Sequence, residues 1–427
     1  MSATESVDQK SRWLGPGVAG IGTASFLADA GHEIPTALLP SLLTSTLGAP
    51  ASALGIIEGV SDALAGAARF GGGALADDPA RRRAVAVGGY TTTAVLSAGI
   101  GAAMTPWQAA VLRAGAWTAR GLRVPARNAL LADVVPPTLY GRAYGFERAM
   151  DNLGAIVGPL LAIALVGAVG IRSAIALSVI PGLLAALNIV YAIRHTTAPH
   201  ERERRPIRIR VRPVLRGRLG SFMAGAAVFE VGNCAATLLI LRASELLQPG
   251  RSDDRATQLA LGLYVAYNLA ATMISVPAGR YGDRRSTIRV LVAGAALFAG
   301  AYVWFAIGPS SVALLAPAFV LAGFGIGCAE TAEHAAVAEL APEELRGSGF
   351  GLLAAIQSLG NLAASTIAGI LWTAASPRVA FVFLAAAMAA AVLLLIRCAA
   401  VPLGDRRTRW SGDGPTRHRR RTPGRDS

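Results

Sequence analysis

The sequence predicts an all-α membrane protein of twelve transmembrane helices, arranged as two pseudo-symmetric six-helix bundles. Three observations carry this prediction. Of 427 residues, 53% are hydrophobic and 15% charged, with a mean hydropathy of +0.48; a soluble domain carries about 25% charged residues. Apolar runs near the ~20 residues that cross a bilayer follow one another along the chain, with arginine-rich links after every second run. Motifs of the first half also return in the second at one fixed offset.

Residues 1–15 form a short N-terminal segment, polar from Met1 to Arg12 and without a cleavable signal pattern. The spans fall at roughly 16–45, 52–75, 84–104, 107–130, 143–168, 171–194, 218–246, 257–280, 287–307, 311–338, 347–374 and 378–397. Links after spans two, four, six, eight and ten carry Arg81-Arg82-Arg83, Arg142, the run from Arg194 to Arg218, Arg284-Arg285 with Arg289, and Arg346. The opposite links are nearly free of basic residues. The positive-inside rule therefore places the basic links and both termini in the cytoplasm of a plasma membrane, and the Ala-, Gly- and Arg-rich composition points to a bacterial (inner) membrane. The chain divides into a bundle at 16–194, a basic linker at 195–217, a bundle at 218–397 and a basic tail at 398–427. The net charge of +14 is thereby read as topology signal and attraction to anionic lipid, and not as nucleic-acid binding. Cys234, Cys328 and Cys398 give neither a metal spacing nor a disulfide framework. No Walker sequence, metal cluster or nucleophile triad appears, so no metal, cofactor or enzymatic activity is expected.

The repeat is specific. Gly73-x-x-x-Asp77 returns as Gly279-x-x-x-Asp283, 206 positions later. Ala132-Asp133-x-x-Pro136-x-x-Leu139-x-Gly141-x-x-Tyr144-Gly145 returns at the same offset as Ala338-Glu339-x-x-Pro342-x-x-Leu345-x-Gly347-x-x-Phe350-Gly351, and Gly154 and Gly360 keep the register. Two halves repeated in parallel fit a transporter with a midplane site between them.

These motifs resemble the major facilitator superfamily over essentially the whole chain. The resemblance implies that the loop Gly73-Ala-Leu-Ala-Asp77-Asp78-Pro79-Ala80-Arg81-Arg82 and its copy Gly279 to Arg284 form a cytoplasmic gate latch. Asp78 stands where the family has a base, and Ala80 where it has glycine, so this loop is expected to turn differently. Arg113 matches the arginine opening the family's fourth-span signature. Gly145, Gly154, Gly158 and Pro159 are similar to the fifth-span signature of drug–proton exchangers: a groove of small residues for close helix approach, with a proline bend. Asp29-x-x-x-Glu33 and Glu147-Arg148-Ala149-Met150-Asp151 resemble a poorly characterised prokaryotic group, whose substrates do not carry over.

Charges inside the spans mark the candidate site, because each costs roughly 2.5–3.5 kcal/mol at the bilayer centre and therefore faces protein or water. Asp29, His32 and Glu33 share one face of span one, as do Glu58 and Asp62 in span two. Arg113, Arg120 and Arg127 form a stripe on span four; Asp151 lies on span five and Glu230 on span seven. Asp29, His32, Glu33, Glu58, Asp62, Arg113, Asp151 and Glu230 are the candidates for proton coupling or substrate contact. Two carboxyl groups close together in a poorly solvated site resist double ionisation, which suits a proton carrier. The alternative is that Arg113 or Arg148 neutralises them and they only fix packing. Arg127 and Glu333 lie toward the cytoplasmic ends and are assigned to the gate with Gly73, Asp77, Arg81, Arg82, Gly279, Asp283 and Arg284. The expected function is alternating-access transport by a monomer in the lipid bilayer, with protons exchanged for an exported small organic molecule. A proton symporter importing a nutrient or anion through Arg113 and Arg148 is the alternative, and a membrane sensor using the basic tail is the alternative of another class.

Overall fold

Every regular element among the described residues is helical, the arrangement that satisfies backbone groups where no water can. The computed structural model describes residues 13–195, 207–208 and 210–399. Most of the N-terminal segment, residues 196–206 of the basic linker, and the tail from 400 onward lie outside the described residues.

Spans one to six are Pro16–Ser41, Ala51–Ala76, Pro79–Gly99, Pro106–Val134, Tyr140–Val169, and the pair Ile171–Leu177 and Val179–Arg194. Spans seven to twelve are the pair Gly217–Gly232 and Ala236–Leu247, then Asp253–Arg284, Thr287–Ile307, Val312–Leu340, Arg346–Ala374 and Pro377–Ala399. Nine helical segments among the described residues are long and apolar enough to cross a membrane. The three spans outside that set, one, two and four, are those with most of the first half's intramembrane charges, which lower their apolarity. Large apolar side chains such as Ile163, Leu187, Met273, Ile370 and Leu393 point outward and are more than half exposed, which suits lipid and not water.

Two spans are broken where the sequence predicts continuous helices. Span six is interrupted at Ser178, and span seven between Gly232 and Ala236. The second break follows from Gly232-Asn233, two residues favoured at helix ends. Its freed backbone groups find partners on span eleven: Asn361 Nδ2 donates to Asn233 O at 2.9 Å, and Ala235 N donates to Ser365 Oγ at 2.9 Å. Span one ends in a π-helical turn, Leu42–Thr46, shortly after Pro35 and Pro40, neither of which has an N–H to give the helix.

The halves meet along span five against span eight, and along span two against span eleven. These contacts are backbone-close. A Cβ on Gly141 would stand 2.2 Å from Gly279 O, and one on Gly73 would stand 2.8 Å from Gly347 O. The bundles are cored differently. The second packs Phe229, Phe298, Tyr302, Phe305, Phe319 and Phe381, with neighbouring ring centroids 5.2–6.0 Å apart. The first buries ion pairs instead, and these lead to the site.

Candidate functional site

On the arginine-rich side the two halves cap each other's helices. Span eleven begins at Arg346 behind Leu345, which gives no side-chain cap. Asp77 of the first half supplies it, accepting from Ser348 N at 2.8 Å and from Ser348 Oγ. Span five begins behind Leu139, again without a side-chain cap. Asp283 of the second half accepts there from Gly141 N at 2.6 Å, Arg142 N at 3.2 Å and Arg142 Nε at 2.9 Å. A carboxylate at a helix N-terminus takes up otherwise unpaired N–H groups and meets the positive end of the dipole. Asp133 completes the closure by pairing with Arg82 of its own half and with Arg346 Nη1 of the other at 3.4 Å. Below it, His334 stacks on Tyr144 and Phe350, with centroids 6.0 and 6.1 Å away.

The anomalous Asp78 has a local reason. It is the N-cap of span three, accepting from Ala80 N at 2.9 Å with Pro79 in the first turn, where a basic residue could not serve. Its side chain also stands 3.6 Å from Arg81 Nε.

Deeper in the bundle, His32 lies between the carboxylates flanking it, with Nδ1 3.1 Å from Asp29 Oδ1 and Nε2 3.3 Å from Glu33 Oε1. A ring with one N–H can satisfy only one of them at a time. Arg120 Nη2 is 3.5 Å from Asp29. Arg113 pairs with Glu58 at 2.9 Å, donates to Thr36 Oγ1 at 3.0 Å, and lies 3.3 Å over the Trp117 ring. Trp117 Nε1 donates in turn to Asp62 at 3.0 Å. Span five adds a second cluster. Glu147, fully buried, is held by Arg127 and Arg148 at 2.7 Å each and accepts from Ser25 Oγ at 2.7 Å. Arg148 also reaches Asp151 at 3.1 Å and, across the interface, Glu330 at 4.0 Å. Asp151 and Asp29 interact with each other, which joins the two clusters.

The second half contributes a third cluster of different chemistry. Glu230 and Glu333 are both buried and interact with each other. Asn233 Nδ2 donates to Glu230 at 2.9 Å and Gln357 Nε2 to Glu333 at 2.7 Å. Among the described residues no cation lies within ion-pair distance of either. Glu230 also sits in the last turn before the span-seven break, where the helix dipole disfavours negative charge. Glu330 stands 4.0 Å from Arg148 and within electrostatic influence of this pair, so ionisable groups are spread from Glu33 to Glu230 across both halves.

Against known proteins, the sequence pattern of the Major Facilitator Superfamily matches residues 21–247 and 246–423, covering both halves. The chain belongs to the major facilitator superfamily. It is 27% identical over 380 residues to an uncharacterised MFS-type transporter of Methanocaldococcus jannaschii, covering 88% of this chain and 93% of that one. It is 30% identical over 88 residues, 21% of this chain and 71% of the other, to a multi-drug resistance efflux pump PmrA homolog of Lactococcus lactis subsp. cremoris. Among solved structures, a bacterial homologue of the iron transporter ferroportin in an outward-facing state superposes with a TM-score of 0.70 at 15% identity, covering 90% of this chain and 99% of that one. That level of identity bears on the fold alone.

As a superfamily member the chain arranges its expected site residues with some relocations. Asp29, His32, Glu33, Glu58, Asp62, Arg113 and Asp151 fall into one connected network, joined to Glu230 through Glu330. Gly73, Asp77, Arg82, Gly279 and Asp283 lie at the contact between the halves. Arg127 and Glu333, expected at the gate, belong instead to the buried clusters around Glu147 and Glu230. Arg284 is exposed and makes no ion pair or hydrogen bond among the described residues. Gly154 and Gly158 back onto span one: a Cβ on Gly154 would stand 2.6 Å from Phe26 O, and one on Gly158 2.5 Å from Glu33 Cβ. They seat the helix that carries Asp29 and Glu33. Gly360 does the same for Glu230, whose Cβ would be 2.4 Å from a Cβ at that glycine. Asp133, Ser348, Ser25 and Trp117 went unremarked as functional residues; Asp133 alone carried a signal, lying inside the repeated motif.

Proposed function

We propose that this superfamily member is a proton-coupled secondary transporter that exports a small organic molecule in exchange for protons, working as a monomer by rocking of its halves. The observation that carries the proposal is the Glu230–Glu333 pair. Two buried carboxyl groups that interact, with no cation within ion-pair distance among the described residues, cannot both be ionised at acceptable cost, so at least one proton resides there. The pair lies at the end of a chain of titratable groups that reaches Asp29 and Glu33 on span one. Transfer of that proton along the chain, timed by opening and closing of the halves, is the coupling step. In this reading Asp77 and Asp283 close the cytoplasmic side, toward which the basic links point under the positive-inside rule.

Export is supported by the fifth-span glycines and by the relative named as a multi-drug efflux pump. The excess of carboxylates over arginines in the network favours a cationic or amphipathic substrate. An imported anion is less well served, because Arg113 and Arg148 are both engaged by carboxylates.

Proteoliposomes holding a pH-sensitive dye, challenged with a panel of organic cations, test the proposal. The expected result is substrate-driven proton movement that is lost in Glu333→Gln and in Glu230→Gln, with both variants folded. Energised cells should accumulate less of the same compound when they express the protein. Normal proton movement in both variants would remove the coupling assignment, and raised accumulation would reverse the direction.

A further inference from the structure

Within the first bundle, spans one, three, four and six line a small, partly open cavity of about 10 Å³, room for a single occupant close to the size of a water. Its lining includes His32, Tyr90, Thr93, Ser97, Arg123 and Ser178. Several of the polar groups there lack an acceptor among the described residues. Arg123 is 4% exposed and makes no hydrogen bond or ion pair among the described residues; its guanidinium lies 3.9 Å over the Tyr90 ring. Asp29, a carboxylate of the same bundle, is engaged by His32 and Arg120. The Tyr90 hydroxyl, Ser97 Oγ and Ser178 Oγ are buried with no hydrogen-bond partner. The helix itself does not impose this state: Thr93, one turn before Ser97, gives its proton to Gly89 O at 2.7 Å. The break of span six at Ser178 turns this residue toward the cavity.

A buried guanidinium without a counter-charge is costly, and so is a buried hydroxyl without a partner. One water could satisfy the hydroxyls but would leave the charge uncompensated. A cation would meet like charge. We propose that this cavity is a binding site for one small inorganic anion of halide size, held by Arg123 and by the hydroxyls of Tyr90, Ser97 and Ser178. The space excludes sulfate and organic carboxylates. The site is separate from the path between the halves but shares the wall formed by His32, so its occupant supports the span that carries the coupling candidates.

Thermal unfolding of the purified full-length chain tests this, in chloride, bromide or gluconate at constant pH and ionic strength. A ligand that binds the folded state alone raises Tm by mass action. The expected result is a saturable rise in chloride and bromide that gluconate does not give. Ser97→Ala and Ser178→Ala should each weaken the apparent Kd roughly tenfold, the effect of losing a hydrogen bond to a charged group. Arg123→Gln should abolish the halide effect. If that variant does not fold, the wild-type titration and the serine variants still decide, and crystals in bromide should show anomalous density between Arg123 and Ser178. Equal Tm in chloride and gluconate would overturn the proposal, as would a halide effect unchanged in both serine variants.

Discussion

Replacing Asp77 by Ala removes one of the two cross-half caps and leaves the other intact, so the two closures can be read separately. Asp77 accepts from Ser348 N at 2.8 Å and from its hydroxyl. Losing an N-terminal cap acceptor costs about 1 kcal/mol, and losing a second hydrogen bond to a carboxylate costs about as much again. Together, about 2 kcal/mol favours the open arrangement by roughly thirtyfold. Exchange at Ser348 itself would be uninformative, because its own partner is gone. The Gly141 and Arg142 amides are the reporters to follow, since Asp283 protects them and the substitution does not touch it. If the halves move as rigid bodies, hydrogen exchange at these two amides accelerates about thirtyfold in Asp77→Ala. Asp283→Ala should act reciprocally on the amide of Ser348. Unchanged exchange at Gly141 and Arg142 would refute the view that both caps report one opening motion.

Two further outcomes are expected. Gly154→Ala should lower thermal stability by about 1–3 kcal/mol, since its methyl group would press on Phe26 O and Asp29 Cβ; Gly59→Ala, with nothing within 4 Å of its Cβ, should leave Tm nearly unchanged, and similar losses in both would contradict the seating role. Trp117→Phe should cost about 1 kcal/mol by losing the bond to Asp62, and Trp117→Ala about 3–5 kcal/mol, because it also empties the space of a buried ring and removes the face under Arg113. Unfolding curves for the pair check this, and equal losses would contradict the packing role of the ring between Arg113 and its neighbours.

The sequence could reveal what depends on period and repetition. Hydropathy marked the spans, and the shared offset of 206 singled out Gly73, Asp77, Gly141, Gly279 and Asp283, residues that the structure brings together at the contact between halves. It could not reveal depth along a helix or the identity of a partner. Arg127 and Glu333 read as gate residues because they lie late in outward-to-inward spans, yet both side chains turn into buried clusters. Asp29, His32 and Glu33 were correctly placed on one face by their spacing, but that spacing could not tell whether Arg113 or Arg120 would meet Asp29. Arg120 does, while Arg113 holds Glu58. The breaks at Ser178 and Asn233 escaped because a short apolar helix pair has the same composition as one long span. The vacant donors around Arg123 are a property of three-dimensional packing and leave no pattern in the chain.

The mutual capping has the form of an isologous contact. Asp77 meets Ser348, and 206 residues further on its equivalent Asp283 meets Arg142, the equivalent of Ser348. Some residues even touch their own copies: Arg346 Nη2 donates to Tyr140 OH at 3.2 Å, and Tyr144 packs 5.8 Å from Phe350. Self-contact of this kind occurs only on a two-fold axis, which therefore passes between these pairs. Each half carries both sides of the interface on one surface, donor end and acceptor end together. The chain closes as a dimer of six-helix units would, with its two subunits joined by a linker.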